Sequence, residues 1–238
     1  MDTQTMAQIY LADQRGRSES ASVHSRHTFN VGDYAAEGRE PFGALLLLNE
    51  DTLRAGASLT MAVQEPTEVV LLPIVGGLEY AYAGTFSFAE PGQSVVLSLA
   101  AGMAYTVSNP YESEFINYIQ FWLTKPQYDF APVVSQTEFD LARMNTLLPC
   151  FGEPSGYQGF IGRYSGRQEG TYTVTAATDR QNRQLFVFVV QGVFEVANRL
   201  LHDRDGLALT CDQAEVLEFE ALSNDAVLIV IDLATADQ

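Results

Sequence analysis

Two side chains in the first half of the sequence could move a proton, Glu68 and Tyr105. Glu68 precedes the apolar run Val69-Val70-Leu71, and burial in such a run would raise the pKa of its carboxyl towards that of a general acid or base. Tyr105 and Val107 are two residues apart, so on a strand both would point to the same face, together with Met103. A lone glutamate on a strand is more often a structural group that is hydrogen-bonded to a neighbour, and this alternative stays open.

The remaining histidines and cysteines give weaker indications of chemistry. His24 and His27 lie in the N-terminal segment and His202 in an acidic turn, so we do not expect them to form a metal site. Cys150 has no histidine nearby in sequence to activate it. Two cysteines are too few for a disulfide framework, and they indicate buried thiols in a reduced, cytoplasmic setting.

The charge balance restricts the class of partner. The 238 residues include 30 acidic and 13 basic side chains, for a net charge of −17. Such a surface repels phosphate backbones and anionic lipids, so we expect neither direct nucleic-acid binding nor membrane binding. A basic protein partner or a small organic ligand suits this charge better. The N-terminal residues carry no signal peptide, and the apolar runs are too short to cross a bilayer, which indicates a soluble protein.

Short apolar runs separated by turn residues dominate the chain. Examples are Ala44–Leu48, Val69–Leu72 and Leu185–Val190, and turns such as Gly76-Gly77 and Gln191-Gly192 follow them. Runs of this length and spacing are typical of an all-β sandwich or barrel. The pattern repeats in two halves, which predicts a duplicated β-barrel in a single chain.

The boundary between the halves is expected near residue 130. Pro126 and Pro132 suit a connector, so we expect domains at residues 1–130 and 131–238. Thr137 to Leu148 could form one short helix, with Thr137 as its N-cap.

A spaced motif surrounds Glu68. Gly56 is followed after five residues by Ala62-Val63-Gln64, after three more by Glu68, and after seven more by Gly76. This arrangement resembles the first motif of the cupin superfamily, Gly-x5-His-x-His-x3,4-Glu-x6-Gly. In that motif both histidines point into the barrel mouth and bind a divalent transition metal. Here Ala62 and Gln64 occupy the two histidine positions.

Further segments are similar to the pirin family of bicupins, which includes quercetin 2,3-dioxygenase-like members. They are His27-Thr28-Phe29, Phe42-Gly43-Ala44-Leu45 and the stretch from Ala100 to Pro110. The family's later motif, Gly-x-Gly-x-x-His-x-Glu-x-Asn-Pro, supplies a histidine and a glutamate that complete the metal site. Tyr105 and Val107 stand at those two positions. The resemblance therefore implies two cupin-type barrels in which all four metal ligands of the first are replaced, and we expect no metal and no other cofactor.

Two alternatives follow for the space that a metal site of the first barrel would occupy. Its side chains could fill the space as a packed apolar core, or they could line a residual pocket for a small organic ligand. The predicted lining residues are Ala62, Gln64, Glu68, Met103, Tyr105 and Val107.

Three functions follow from the resemblance. The first is a metal-free, pirin-like bicupin that lacks oxygenase activity and binds a small ligand or a protein, in a regulatory role. The second is a quercetin 2,3-dioxygenase-like oxygenase, which would need the missing ligands. The third is a metal-independent cupin enzyme that uses Glu68 and Tyr105 for proton transfer.

Overall fold

A computed structural model describes residues 6–124, 133–152, 156–174, 183–211 and 215–233. Nearly all regular elements in these ranges are strands, so the all-β prediction is confirmed. One 3₁₀ turn, Ala12–Gln14, is the helical element of the described residues. Within them, no helix has the length and apolar character needed to span a bilayer.

The chain divides into two compact units. One comprises residues 15–138 and is called the N-terminal barrel here; the other comprises residues 1–14 and 139–238 and is called the C-terminal barrel. This differs from the predicted domains 1–130 and 131–238 at both ends of the first one. Strand Met6–Tyr10 pairs with a strand of the C-terminal barrel, and strand Val133–Glu138 pairs with one of the N-terminal barrel. Pro126 and Pro132, the basis of the predicted connector, lie outside the described residues.

The helix predicted from Thr137 to Leu148 is wrong. Thr137 lies in the strand Val133–Glu138, turns follow it, and Leu148 begins the next strand. The apolar residues that suggested a helical face lie instead in the turns and irregular segment between these two strands, at Phe139, Leu141, Ala142, Met144 and Leu147. In that turn the Asp140 carboxylate accepts a hydrogen bond from the Ala142 N–H at 2.9 Å.

The N-terminal barrel consists of two sheets that enclose one core. The larger sheet has the order β12-β9-β6-β11-β4-β3-β2 and the smaller one β5-β10-β7-β8. The strands are β2 (Gly16–Glu19), β3 (Val23–His27), β4 (Leu45–Leu53), β5 (Ser58–Ala62), β6 (Thr67–Val75), β7 (Leu78–Tyr82), β8 (Thr85–Ala89), β9 (Gln93–Leu99), β10 (Ala104–Ser108), β11 (Ile116–Thr124) and β12 (Val133–Glu138).

The C-terminal barrel has a matching pair of sheets. Their orders are β1-β19-β16-β21-β14-β13 and β15-β20-β17-β18. The strands are β1 (Met6–Tyr10), β13 (Leu148–Gly152), β14 (Gln158–Tyr164), β15 (Glu169–Val174), β16 (Arg183–Gln191), β17 (Phe194–Val196), β18 (Arg199–Leu201), β19 (Gly206–Cys211), β20 (Glu215–Ala221) and β21 (Ala226–Leu233).

The two barrels correspond strand by strand, as the repeated pattern predicted. The run β4 to β11 matches β14 to β21 in chain order and in its place within each sheet. Gly76 and Gly192 both adopt positive φ where the chain leaves the larger sheet for the smaller one. The next hairpins turn at Ala83-Gly84 and at Ala197-Asn198, with positive φ at both residues of each turn, as a two-residue hairpin of this type requires. Counting from these turns through the strand registers assigns equivalent positions in the two barrels.

Candidate functional site

Strand β10 carries Tyr105 and Val107 into the interior of the N-terminal barrel. Both side chains are buried, and Met103 packs against the same core from a half-buried position. The alternation along β10 leaves Ala104 exposed and points Thr106 to the outer face of the sheet. The structure therefore places these three predicted lining residues together.

The predicted positions of Ala62 and Gln64 require a correction. Both residues are exposed, while Met61 and Val63 lie inside, because successive residues of a strand face opposite sides. Met61 pairs directly with Tyr105 across β5 and β10. The sequence contained a signal for this register, because apolar Leu59, Met61 and Val63 alternate with small or polar residues. The cupin motif also permits four residues between its second histidine position and its glutamate. With Glu68 as that glutamate, this spacing places Met61 and Val63 at the two histidine positions.

Glu68 lies on the face of β6 opposite to the core. Its neighbours Val69 and Leu71 belong to the core cluster, whereas Glu68 accepts a hydrogen bond from the Ser98 hydroxyl at 2.9 Å on the other face. Glu68 therefore does not line the interior with Tyr105. This overturns the predicted proton-transfer pair, and it agrees with the structural alternative for this glutamate.

A buried polar cluster occupies the interior instead. We call Asp51, Tyr105, Gln120 and Trp122 the Asp51 cluster. The Tyr105 hydroxyl donates a short hydrogen bond to the Gln120 carbonyl oxygen and accepts one from the Trp122 indole N–H at 2.9 Å. The Gln120 amide donates to the Asp51 carboxylate. Asp51 and Gln120 have no exposed surface, so this chain of hydrogen bonds is shielded from solvent.

Burial governs the ionisation of this cluster. Loss of solvation raises the pKa of Asp51, and hydrogen bonds from Ser25 and Gln120 oppose that rise. Burial also raises the pKa of Tyr105, and the nearby Asp51 carboxylate raises it further, against a hydrogen bond from Trp122. Tyr105 thus stays a neutral phenol near neutral pH. In this arrangement it acts as a hydrogen-bonded structural group, without access to a substrate.

The four interior positions do not suit a transition metal. Met61, Val63, Tyr105 and Val107 offer one thioether, one protonated phenol and two hydrocarbon side chains. Within the ranges that the structure describes, no group of three or more His, Cys, Asp or Glu side chains could hold an ion. The donor set at the family's metal position is therefore unlike that of a metal site.

The histidines have other roles. His27 is buried on β3, where one ring nitrogen lies 2.7 Å from the Ser18 hydroxyl and the other 2.9 Å from the Asn49 side-chain oxygen. These bonds hold the N-terminal strands β2, β3 and β4 together, which is a structural task. His24 is half-buried on the same strand, with its Nδ1 4.0 Å from the Glu19 carboxylate.

The C-terminal barrel contains a second buried polar group. We call Tyr172, Arg183 and Asp232 the Asp232 cluster. The Asp232 carboxylate accepts hydrogen bonds from the Tyr172 hydroxyl at 2.7 Å and from the Arg183 guanidinium at 2.8 Å. Burial raises the pKa of Tyr172, and its hydrogen bond to Asp232 raises it further. Sequence reasoning missed both clusters, although an aspartate inside an apolar strand such as Ala226–Leu233 is a detectable signal.

A cavity of about 300 Å³ is lined by Leu185, the strand partner of Asp232, among other residues. Five of its lining side chains are buried residues with apolar or thiol groups, and the polar Asn198, Arg199 and Glu218 also line it. The buried ones are Val174, Leu185, Leu209, Cys211 and Leu217. The cavity is thus an apolar space with a few polar groups, the usual composition of a small-molecule site.

Comparison with known proteins finds similarity to quercetinases and pirins. A family model described as the quercetinase C-terminal cupin domain matches residues 163–233. A quercetin 2,3-dioxygenase of Escherichia coli (strain K12) is 23% identical over 231 residues, covering 93% of this chain and 97% of that protein.

Solved structures share the fold over nearly the whole chain. The crystal structure of YhhW from Escherichia coli matches with a TM-score of 0.83 and 18% identity, covering 98% of this chain and 100% of that one. The crystal structure of bacterial pirin YhhW from Escherichia coli in complex with nickel(II) matches with a TM-score of 0.82 and 19% identity, covering 97% and 100%. Residues 163–233 thus match a quercetinase C-terminal cupin domain, and the chain as a whole has a two-barrel fold similar to that of bacterial pirins.

Proposed function

We propose that this protein is a metal-free, pirin-like bicupin that lacks oxygenase activity and acts by binding a small ligand or a protein. The observation that carries the proposal is the content of the family's metal position. Met61, Val63, Tyr105 and Val107 replace the ligands, and Tyr105 is tied to Gln120 and Trp122 by hydrogen bonds. A protein whose catalytic ion has been replaced by a hydrogen-bonded core keeps the barrel as a scaffold for recognition.

An oxygenase of the quercetin type is the less supported alternative. Activation of oxygen or of a flavonol requires a redox-active metal, and a neutral phenol and a thioether are poor ligands for one. The second alternative is proton transfer by Glu68 and Tyr105. The geometry opposes it, because Tyr105 points into the core of the barrel and Glu68 lies on the face of β6 opposite to that core.

Metal content and activity test this proposal directly. Protein purified without added metal should contain far less than one equivalent of iron, nickel, copper or zinc by elemental analysis, and it should not consume quercetin. The similar quercetin 2,3-dioxygenase of Escherichia coli, purified in parallel, is the control. About one bound transition metal per chain together with quercetin turnover would contradict the proposal.

A matched pair of variants tests the register on which the proposal depends. Met61→His, Val63→His, Tyr105→His and Val107→Glu together should create nickel affinity, because all four side chains point inward. The control replaces Met61→His and Val63→His by Ala62→His and Gln64→His, which point outward, and should bind at least about tenfold more weakly. Stronger binding by the control would show that the register is wrong. Circular dichroism verifies that both variants fold.

A protein partner is a second candidate, favoured by the outer face of the sheet β5-β10-β7-β8. Phe86 and Phe88 on β8 are 83% and 43% exposed. On the same sheet, Thr60 and Thr106 share a hydrogen bond between their hydroxyls at 2.8 Å. The exposed Glu79 pairs with Phe88 on this face, and exposed apolar side chains beside polar ones are features of protein contact surfaces. The net charge of −17 favours a basic partner, and the two buried cysteine thiols support a cytoplasmic location.

The partner surface can be tested with a basic amphipathic peptide. Phe86→Ser combined with Phe88→Ser should weaken peptide binding about tenfold in fluorescence anisotropy, because it removes the apolar contact. Leu200→Ser is the control, since Leu200 is 54% exposed at the equivalent hairpin position of the other barrel. Equal affinities of the two variants would exclude this face as the binding surface.

A further inference from the structure

We propose that the cavity of the C-terminal barrel binds a small monocarboxylate with a compact apolar body. The inference rests on the proposed function in one respect, since it names the ligand class of a protein that acts by binding. This cavity lies in the C-terminal barrel, whereas the family's metal position lies in the N-terminal barrel.

The walls of the cavity suit an apolar body. Val174, Leu185, Leu209 and Leu217 are buried and present aliphatic side chains, and the Cys211 thiol adds a weakly polar one. The cavity of about 300 Å³ is about twice the size of an apolar cavity that holds benzene, so two fused rings or an equivalent aliphatic body would fit.

Near the cavity, two positions differ in side-chain volume between the two barrels. Asp232 pairs with Leu185 of β16, and Trp122 pairs with Val69 of β6. Because Leu185 and Val69 are equivalent positions of the two barrels, Asp232 occupies the position equivalent to Trp122. Cys211 likewise occupies the position equivalent to Leu99. Two positions beside the cavity-lining residues therefore carry smaller side chains than their counterparts in the N-terminal barrel.

A guanidinium group supplies the head-group contact. Arg199 lines the cavity directly after the turn at Ala197-Asn198, and one of its N–H groups donates to the Ala197 carbonyl at 2.6 Å. In the described part of the chain, no carboxylate forms an ion pair with Arg199. A guanidinium has five N–H donors in a planar fork that matches a carboxylate. Arg199 can thus bind a carboxylate while keeping its bond to Ala197.

One negative charge suits the rim better than two. Glu218 also lines the cavity and is exposed, so a second carboxylate on the ligand would be repelled. The net charge of −17 opposes any anion at long range, but salt at about 0.15 M screens exposed charges beyond about 8 Å. Recognition therefore depends on the local guanidinium.

Three naphthalene probes with one body and different head groups test the proposal. 2-Naphthoate, neutral 2-naphthylmethanol and naphthalene-2,6-dicarboxylate are titrated into the full-length protein by calorimetry at physiological ionic strength. 2-Naphthoate should bind saturably, and each of the others at least about tenfold more weakly. Absence of saturable 2-naphthoate binding up to about 1 mM, or equal affinity for the neutral alcohol, would overturn the proposal.

Two variants locate the binding. Arg199→Gln should weaken 2-naphthoate binding about tenfold, and Arg167→Gln is the matched control for loss of one charge, because the Arg167 side chain is 83% exposed in the same barrel and does not line the cavity. Leu209→Phe should block binding by filling the cavity. Unchanged affinity in both Arg199→Gln and Leu209→Phe would place the ligand elsewhere and contradict the inference.

A thiol readout requires no substitution and so does not depend on a variant folding. Methyl methanethiosulfonate should modify Cys211, and 2-naphthoate should slow that reaction in peptide-level mass spectrometry. Cys150 is the internal control, since it is fully buried and burial raises its pKa. Unaltered Cys211 modification at saturating probe would count against the cavity. A positive metal and quercetin assay would instead overturn the proposed function and leave this binding result standing.

Discussion

The two barrels share one strand plan but bury their polar groups in different places. In the N-terminal barrel, hydrogen-bonding side chains fill the positions of Asp51, Tyr105 and Gln120. The equivalent positions of the C-terminal barrel hold Gly162, Phe219 and Val230. The relation is reversed nearby, where Val63, Thr67 and Trp122 correspond to Tyr172, Arg183 and Asp232.

This reversal shows that the shared strand arrangement accommodates buried polar side chains at different positions in the barrel, provided that the side chains of each cluster are hydrogen-bonded to one another. In the N-terminal barrel the Asp51 cluster occupies the interior and includes the neutral phenol of Tyr105. In the C-terminal barrel the smaller Asp232 stands where the other barrel has Trp122, and its strand partner Leu185 lines a cavity. A site therefore cannot be transferred from one barrel to the other by strand position alone.

The largest expected effect comes from breaking the Asp232 cluster. Asp232→Leu should lower the free energy of unfolding by about 3–5 kcal/mol, because it leaves the largely buried Arg183 guanidinium without its carboxylate. Arg183→Met combined with Asp232→Leu should recover most of that loss. Urea unfolding followed by far-UV circular dichroism measures both. Additive losses in the double variant would show that the two residues do not act as a pair.

A smaller loss should follow from removing one hydroxyl in the Asp51 cluster. Tyr105→Phe leaves the Gln120 oxygen and the Trp122 N–H without their partner, so unfolding should become easier by about 1–3 kcal/mol. Trp122 is the single tryptophan, so its fluorescence reports on this barrel during urea titration.

The matched control for Tyr105→Phe lies in the other barrel. Tyr164→Phe should change stability by at most about 0.5 kcal/mol, since no hydrogen bond to the Tyr164 hydroxyl occurs among the residues that the structure describes. Equal losses in Tyr105→Phe and Tyr164→Phe would mean that the Asp51 cluster contributes no more than an unpaired phenol does.

The smallest effect is a pH dependence of stability in the N-terminal barrel. Burial raises the folded-state pKa of Asp51, so the folded protein binds a proton more tightly than the unfolded chain does. The resulting stability is present below the unfolded value of about 3.9 and is lost as pH rises through the raised pKa. Asp51→Asn removes this dependence.

Urea titrations between about pH 4 and pH 8 measure the effect. The stability of Asp51→Asn relative to the wild type should increase as pH rises, in transitions followed by Trp122 fluorescence. A stability difference that stays constant across this range would show that Asp51 titrates normally.

Local sequence patterns were sufficient to predict the strands and one wall of the N-terminal interior. Runs such as Val69–Leu72 became buried strands, and Tyr105 and Val107 face inward because β10 is regular and bounded by turns. The error at Ala62 and Gln64 arose because the motif fixed the register from Gly56, while the apolar alternation Leu59, Met61, Val63 decides which face is buried.

The polar clusters depend on contacts that local patterns do not contain. Asp51 and Gln120 are 69 residues apart and meet only because β4 and β11 are neighbours in the larger sheet. Glu68 was misplaced for a related reason, since both faces of β6 are apolar near it and the run gives no indication of which one lines the barrel.

The placement of β1 has a consequence for how the chain is made. Ala12 donates a hydrogen bond to the Asp205 carboxylate 193 residues away, and β1 just before it forms the edge of the C-terminal sheet. On the ribosome, Met6–Tyr10 is made before the N-terminal barrel and finds its partner β19 only after that barrel has been translated. A substitution within Met6–Tyr10 therefore perturbs the C-terminal sheet, although the whole N-terminal barrel separates this strand from β19 in sequence.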